Sequence, residues 1–343
     1  MYILTVVVPA YNSGKFLHVC IDSLLNKKNT TELEIIIVDD GSTDDTGFIA
    51  SEYARKHENV VAVSKENGNH GSVINLGIRM ARGKYFKVVD SDDWLDTKNL
   101  DKLINDLKKT DADIILNSYV TFDVSRNSRQ RVVEYCLENG KKYAVDDLKH
   151  HGIDLLQIYA ITIKTKILRD NNITFTEKCF YEDFQFVLYP LEYANSVEYY
   201  NYPVYYYQIG QKNQSVNSQN ALINVGMLQT VLEDAEKHYW KIDDTKLDYK
   251  GTFYNALIIL ARQGYNVFIK NYKYPNITNF FSEYDSRLWK NCNSIYQDAG
   301  KRYYYIRYIR KNTRFRFMVC YFLLRIYKLT NGMPSIKTRK NKA

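Results

Sequence analysis

The sequence predicts an α/β fold: a mostly parallel, doubly wound sheet flanked by helices, followed by a helical C-terminal region. Three observations predict it. Short β-branched runs alternate with helical periods at close spacing through the first 120 residues. The polar clusters of that half fall just after the runs, where the C-terminal ends of parallel strands open and ligands bind. From Ala221 onward the apolar spacing is mainly helical.

The elements follow in order. Ile3 to Val8 is a strand that ends at the turn-rich Pro9-Ala10-Tyr11-Asn12-Ser13-Gly14, ahead of a helix carrying Phe16, Leu17, Cys20, Leu24 and Leu25. Glu34 to Val38 is a second buried strand, stopping at Asp39-Asp40-Gly41-Ser42-Thr43-Asp44 before a helix through Ile49, Tyr53 and Ala54. Val60 to Ser64 is the third strand, and the turn from Gly68 to Ser72 opens a helix through Ile74, Ile78 and Ala81. Tyr85 to Val89 is the fourth. A helix near Leu100 to Lys108, a strand from Asp113 to Ser118 and a mixed region to about residue 215 come next. Helical segments are expected at Ala221 to Trp240, Tyr249 to Ile269 and Tyr303 to Leu329. With no internal repeat or low-complexity linker, the sequence divides softly into a domain at 1–218 and a helical region at 219–343 that packs on it.

Composition is that of an ordinary soluble protein, 45% hydrophobic and 25% charged over 343 residues. The five cysteines are scattered without paired spacing and read as reduced, mostly buried thiols of a cytosolic protein. No cleavable leader is visible, and no run reaches the roughly 18 to 20 apolar residues of a membrane span. The net charge of +8 belongs to one end: after Asp298 there are 13 lysines and arginines and no acidic residue.

The fourth strand runs straight into Asp90, Ser91, Asp92 and Asp93, with Asp96 close behind. Carboxylates crowded at a strand end repel one another unless a cation neutralises them, and such hard oxygens suit Mg²⁺ or Mn²⁺ rather than zinc. A divalent ion there would hold a diphosphate. The alternative is that Asp93 and Asp96 only start the next helix by capping its free N–H groups. A nucleotide site also needs a flat partner for the base and an acceptor for its N–H, which Tyr11 and Asp40 supply. Neither G-x-G-x-x-G nor G-x-x-x-x-G-K-[ST] occurs, which counts against dehydrogenases and P-loop enzymes.

These segments resemble glycosyltransferase family 2, the inverting nucleotide-sugar transferases of the GT-A (Rossmann-like) fold. Val8-Pro9-Ala10-Tyr11-Asn12 is similar to the family's opening strand and loop, and Ile37-Val38-Asp39-Asp40-Gly41-Ser42-Thr43-Asp44 to its base-binding segment. Val89-Asp90-Ser91-Asp92-Asp93 resembles its DxD metal motif, and Lys65-Glu66-Asn67-Gly68 through Asn75-Leu76-Gly77 its Asn-Gly loop and following helix. The resemblance implies nucleotide-sugar binding by residues 1–120 and an acceptor side at 121–218. Pro9, Tyr11, Asn12, Asn67, Gly68 and Ser91 would line the nucleotide. Asp40 would bond the pyrimidine with Asp39 supporting the loop. Asp92 would ligate the Mn²⁺ or Mg²⁺, and Asp90 would contact ribose or metal-bound water. His70 is left between a diphosphate contact and a loop histidine. Phe180-Tyr181-Glu182-Asp183-Phe184 resembles the segment that supplies the catalytic base, with Asp183 as the base and Glu182 as its fallback or orienting neighbour.

The implied function is metal-dependent, inverting transfer of one hexose from a UDP-sugar to a glycan, glycolipid or glycoprotein in cell-surface polysaccharide synthesis. No Q-x-x-R-W segment of processive synthases is present, since Arg287-Leu288-Trp289 lacks the upstream glutamine. A non-catalytic nucleotide-binding scaffold and a sugar nucleotidyltransferase stand as alternatives. Gln208 to Ser218 reads as a mobile polar loop over donor or acceptor, and Tyr205 to Tyr207 as either an acceptor cleft or a half-buried strand. In the tail, Arg307, Arg310 and Arg314 repeat at helical spacing along one expected amphipathic helix from Tyr303 to Leu329. Residues 301–343 then read either as a contact with anionic membrane, placing a cytoplasmic enzyme at the inner face of the plasma membrane, or as packing on the sheet domain or a second subunit of a homo-oligomer. Nucleic acid is disfavoured because the acidic sheet edge repels a phosphate backbone.

Overall fold

A computed structural model of the chain describes residues 2–25, 31–124, 129–151, 156–210 and 218–331. The expected alternation is present: β1 (Leu4–Ala10), α1 (Gly14–Leu24), β2 (Leu33–Asp39), α2 (Thr46–Lys56), β3 (Val60–Ser64), α3 (Asn69–Met80) and β4 (Tyr85–Val88). After these come β5 (Trp94–Leu95), α4 (Thr97–Lys109), β6 (Ile114–Asp123), β7 (Arg129–Val133), β8 (Lys141–Ala144), β9 (Ile161–Lys164), α5 (Thr165–Asp170), α6 (Asp183–Leu188) and β10 (Ser196–Ile209).

The strands form one sheet in the order β3-β2-β1-β4-β9-β6-β10-β5, with β7 on β6 and β8 on β10. β1 runs parallel to both β2 and β4, and β2 parallel to β3. Strands flanked on both edges and covered on both faces read as continuous apolar runs, and β2 is buried along its whole length. Its one acid before the closing Asp39, Glu34, is satisfied by Thr5 Oγ1 at 2.6 Å, the Arg82 amide at 2.7 Å and Arg82 Nε at 2.6 Å.

The sheet is mixed rather than wholly parallel, because β9 inserts antiparallel between β4 and β6. β6 extends past the expected end at Ser118 to Asp123, held by parallel β10 on one side and antiparallel β7 on the other. β10 is 14 residues long, and its register slips around Tyr200, Pro203 and Tyr205. Proline offers no N–H to a ladder, so an irregularity at this point is the expected consequence.

The chain divides into two compact units: the described residues of 1–178 and 182–211 form one, and those of 179–181 and 212–336 the other. The second is helical: α7 (Ser218–Ile223), α8 (Val225–Tyr239), α9 (Leu247–Lys270), α10 (Ile277–Asn291), α11 (Asn293–Arg302), α12 (Tyr304–Ile309) and α13 (Arg314–Asn331). Its core is aromatic, with the Phe281 ring 5.0 Å from Phe317 and 5.3 Å from Phe268, and Tyr265 5.3 Å from Tyr284. Two of the expected helices are each two. The 221–240 segment breaks at Asn224, and α10 and α11 lie where the sequence pattern predicts no separate helix.

The single helix expected from Tyr303 to Leu329 breaks between α12 and α13. Asn312 turns left-handed at φ 48° and its side-chain amide donates to Thr278 O at 3.0 Å and Ser282 Oγ at 2.6 Å. Arg310 is packed within the helical unit: its guanidinium donates to Tyr265 Oη at 2.9 Å and Tyr296 O at 2.7 Å, and pairs with Asp285 at 3.3 Å. Among the described residues no helix is long and apolar enough to cross a membrane.

Candidate active site

The loops after β1 and β2 are sewn together. Asn12, at φ 49°, donates its amide to Ser42 Oγ at 2.9 Å and accepts at Oδ1 from the Thr43 amide at 2.9 Å. This leaves Tyr11 53% exposed at the sheet edge with its ring available, while Pro9 lies back in β1 opposite Val38. Asp39 is buried and accepts from the Ser42 amide at 3.0 Å and Ser64 Oγ at 3.2 Å. Asp40 takes Lys65 Nζ at 2.6 Å and the Gly68 amide at 3.0 Å on one oxygen, and Asn67 Nδ2 donates to its carbonyl at 2.9 Å. The second loop and the start of α3 thus meet at Asp40.

In the acidic loop, Asp93 has a different job from its neighbours. It is buried, and accepts from Tyr205 Oη at 2.6 Å and from the Gln208 amide at 2.7 Å, so both oxygens are committed to β10. Tyr205 Oη in turn accepts from the Asp90 amide at 3.1 Å, and Gln208 Nε2 donates to Asp92 O at 3.2 Å. Ser91 Oγ lies 2.7 Å from Ser13 Oγ, tying the loop to the one after β1. The capping alternative holds for Asp96, which accepts from the Asn99 amide at 2.9 Å as the N-cap of α4, and not for Asp93. A Tyr205→Phe variant leaves a buried carboxylate oxygen and the Asp90 amide without partners, and is expected to lose about 1–3 kcal/mol of stability. Thermal melting checks this, and an unchanged midpoint would remove Tyr205 as the anchor.

With Asp93 committed, Asp90 and Asp92 are the carboxylates left to hold a cation. Burial, then the charge of Asp90, push Asp92 up to about 6. Two like charges held close with hard oxygen donors fit Mg²⁺ or Mn²⁺, with water and a diphosphate completing the shell. No ready-made group of three or more His, Cys, Asp or Glu side chains stands among the described residues.

His70, the second residue of α3, bridges the two halves of the site. Its Nε2 is 3.0 Å from Asp90 Oδ1 and its Nδ1 is 2.5 Å from Glu182 Oε1. Burial opposes a charge on the ring, but the carboxylates of Glu182 and Asp90 outweigh it and hold His70 well above its ordinary value. An imidazolium donates from both nitrogens, as this position between two carboxylates requires. The approach is close enough that Gly71 has no substitute: a Cβ there would collide with Thr176 O and lie 3.1 Å from Glu182 Cγ. Gly71→Ala is expected to cost about 1–3 kcal/mol by overpacking. A melting midpoint equal to wild type would show that the segment yields freely.

Glu182 is almost fully enclosed, with Oε1 on His70 and Oε2 buried without a hydrogen-bond partner. Asp183, at the start of α6, is open to solvent and accepts from the Phe184 amide at 2.9 Å. Burial, then the Glu182 charge, push its carboxyl up to about 6 against the opposing pull of His70. Solvent access tempers the burial contribution, and the upward direction also stands on Glu182. Tyr207 marks the neighbourhood: burial raises its hydroxyl, followed by the charges of Asp93, Asp90, Asp92 and Asp183 together. Its ring stacks on Tyr159 at 4.5 Å and 17°. The charges of Asp92 and Asp183 are thus both felt at the Tyr207 hydroxyl.

Of the tyrosine run, Tyr205 is structural and Tyr206 stacks on Trp94 at 5.5 Å. Residues 211–217 of the expected mobile loop lie outside the described residues, but Gln208 at its start is fixed to the acidic loop. Sequence reasoning gives Lys65 no role of its own and passes over Lys87 altogether. Lys87 is buried in β4, donates to Tyr159 O at 2.9 Å and Ile161 O at 3.1 Å, and is pulled down to about 7 by burial. Partners that are backbone carbonyls leave no sequence signal.

Residues 5–172 match the family model described as Glycosyl transferase family 2. Among curated proteins the chain is 34% identical over 147 residues to glycosyltransferase GlyG of Streptococcus pneumoniae serotype 4, covering 43% of this chain and 47% of that one. The match thus spans about half of GlyG. It is 27% identical over 282 residues to the uncharacterized glycosyltransferase EpsJ of Bacillus subtilis, covering 80% and 76%. Among solved structures, residues 1–349 of S. aureus TarS superpose with a TM-score of 0.65 at 20% identity, covering 99% of this chain and 98% of that one, a likeness of fold. The same portion of TarS has been crystallised with UDP-GlcNAc.

Proposed function

Residues 5–172 place the chain in glycosyl transferase family 2, and from this premise we propose that it is a glycosyltransferase performing metal-dependent, inverting transfer of one hexose from a UDP-sugar to a glycan, glycolipid or glycoprotein hydroxyl. The observation that carries the reading is the His70 bridge, which holds the DxD-type loop and the Glu182-Asp183 segment on one site.

Tyr11 offers its exposed ring to the base, and Asp40, one oxygen of which is held by Lys65 and Gly68, presents its carboxylate to the pyrimidine N–H. Asp92 and Asp90 would hold Mn²⁺ or Mg²⁺, which when bound neutralises charge on the departing diphosphate. Asp183 accepts the proton of the acceptor hydroxyl as that oxygen bonds to the anomeric carbon and the bond from that carbon to the UDP oxygen breaks. Glu182 stays behind it, fixing His70 and raising the basicity of Asp183. Cell-surface polysaccharide or glycoconjugate synthesis is the setting that fits such a reaction. The choice of UDP rests on the TarS complex and on the family resemblance.

A donor panel tests this. The protein is incubated with Mn²⁺ and individual nucleotide sugars, and the released nucleotide is identified. UDP release from a UDP-hexose supports the reading; pyrophosphate release would make the chain a nucleotidyltransferase, and release from no donor would favour a binding scaffold.

A further inference from the structure

Helix α13 is apolar on two opposite faces. Phe317 and Cys320 point inward and are buried in the helical unit. At 3.6 residues per turn, Phe315, Phe322 and Ile326 fall on the far side, where they are 64, 49 and 57% exposed. A surface helix ordinarily turns charge outward, whereas here the outward stripe is aromatic and aliphatic. The stripe continues beyond the helix: the Tyr272 ring lies 6.5 Å from that of Phe322, and a shallow hollow of about 330 Å³ is lined by Tyr272, Lys273, Arg314, Phe315 and Met318.

The edges of this stripe are cationic. Lys273, Lys311 and Arg325 are exposed, and no carboxylate pairs with them among the described residues. Arg314 donates to the carbonyls of Tyr272, Lys273 and Tyr274 at 3.0, 3.0 and 2.8 Å, and Arg316 to that of Tyr308 at 3.0 Å. These partners are neutral carbonyls, which leave the charge of both guanidinium groups uncancelled. Beyond Asp298 the sequence contains no acid to offset it. This is not the face that the Arg307, Arg310 and Arg314 spacing marks, since Arg310 is packed against Tyr265 and Tyr296.

We propose that the outward face of α13 docks on an anionic lipid bilayer, with Phe315, Phe322 and Ile326 at the boundary of headgroups and acyl chains and Lys273, Lys311 and Arg325 on lipid phosphates. A second copy of the chain would bring the same cations against these, and like charges oppose that contact. Nucleic acid would meet the cations and leave the stripe in water. An anionic bilayer takes both, with the helix lying in the interface plane.

Co-sedimentation of the full chain with vesicles tests the proposal, independently of the transfer reaction. Wild type is expected to sediment with phosphatidylcholine vesicles that carry phosphatidylglycerol, far less with phosphatidylcholine alone, and less again in high salt. Phe322→Ser with Ile326→Ser should weaken partitioning about tenfold or more, and Arg325→Glu should weaken it on anionic vesicles only. Melting midpoints confirm that these exposed changes leave the fold intact. A Phe322→Trp variant, whose added emission should shift to the blue on anionic vesicles, reports the same contact without removing the apolar group. Sedimentation with neither vesicle, or sedimentation that the double variant leaves unchanged, would overturn the proposal. So would light scattering that finds a wild-type dimer which the double variant converts to monomer.

Discussion

Asp183→Asn is expected to lower kcat by about 10²–10⁴-fold while leaving the affinity for the nucleotide sugar close to wild type. The amide keeps the shape of the side chain and can still accept from the Phe184 amide, so what is lost is the ability to take a proton. The pH profile carries the same information. A general base works in its deprotonated form, and Asp183 is pushed up to about 6 by burial and by Glu182. Wild-type turnover should therefore rise with pH through about 6 and level off above it, and the residual activity of Asp183→Asn should lack that limb. Steady-state rates between about pH 4.5 and 8 make the comparison. Full turnover in the variant would move the base elsewhere.

The second large effect is expected at Asp92. Asp92→Asn removes a hard ligand and should weaken Mn²⁺-dependent UDP binding by about 10–100-fold, with transfer falling at least as far. Stability should move the other way or not at all. Asp92 is raised by burial and by the neighbouring charge of Asp90, so neutralising it relieves repulsion in the empty protein. Loss of binding without loss of stability separates a ligand from a structural carboxylate. Calorimetry of UDP with Mn²⁺ and with EDTA, beside a thermal melt, reads both quantities. UDP affinity unchanged in Mn²⁺ would take Asp92 out of the site.

These expectations rest on features of unequal legibility. β1 to β4 are readable because each is a mainly apolar run, broken by no more than a single Thr5, Glu34 or Lys87, and is closed by polar loop residues. The position of the acidic loop follows from the same logic. β9 is not readable, because four residues from far along the chain insert between β4 and β6 and nothing local declares their neighbours. The break between α12 and α13 has a sign that the arginine spacing obscures: Asn312-Thr313, where Thr313 Oγ1 accepts from the Arg316 amide at 3.3 Å.

Within the site, residue types point to carboxylate chemistry without dividing the labour. Asp92 and Asp93 are adjacent and chemically alike, yet Asp93 is spent on Tyr205 and Gln208 while Asp92 is the one proposed to hold the metal. His70 finds its partners 20 and 112 positions away, a pairing that only the folded chain brings about.

The slip in β10 around Pro203 has a consequence for anyone wishing to transplant the N-terminal half. Side chains along a strand alternate between faces, so one residue inserted or removed between Tyr200 and Tyr205 would swing the Tyr205 hydroxyl away from Asp93. Residues 1–120 look like a portable module, but the clasp that shapes their acidic loop is supplied by β10, from far downstream. A chimera that swaps residues 1–120 must carry β10 with it, in phase.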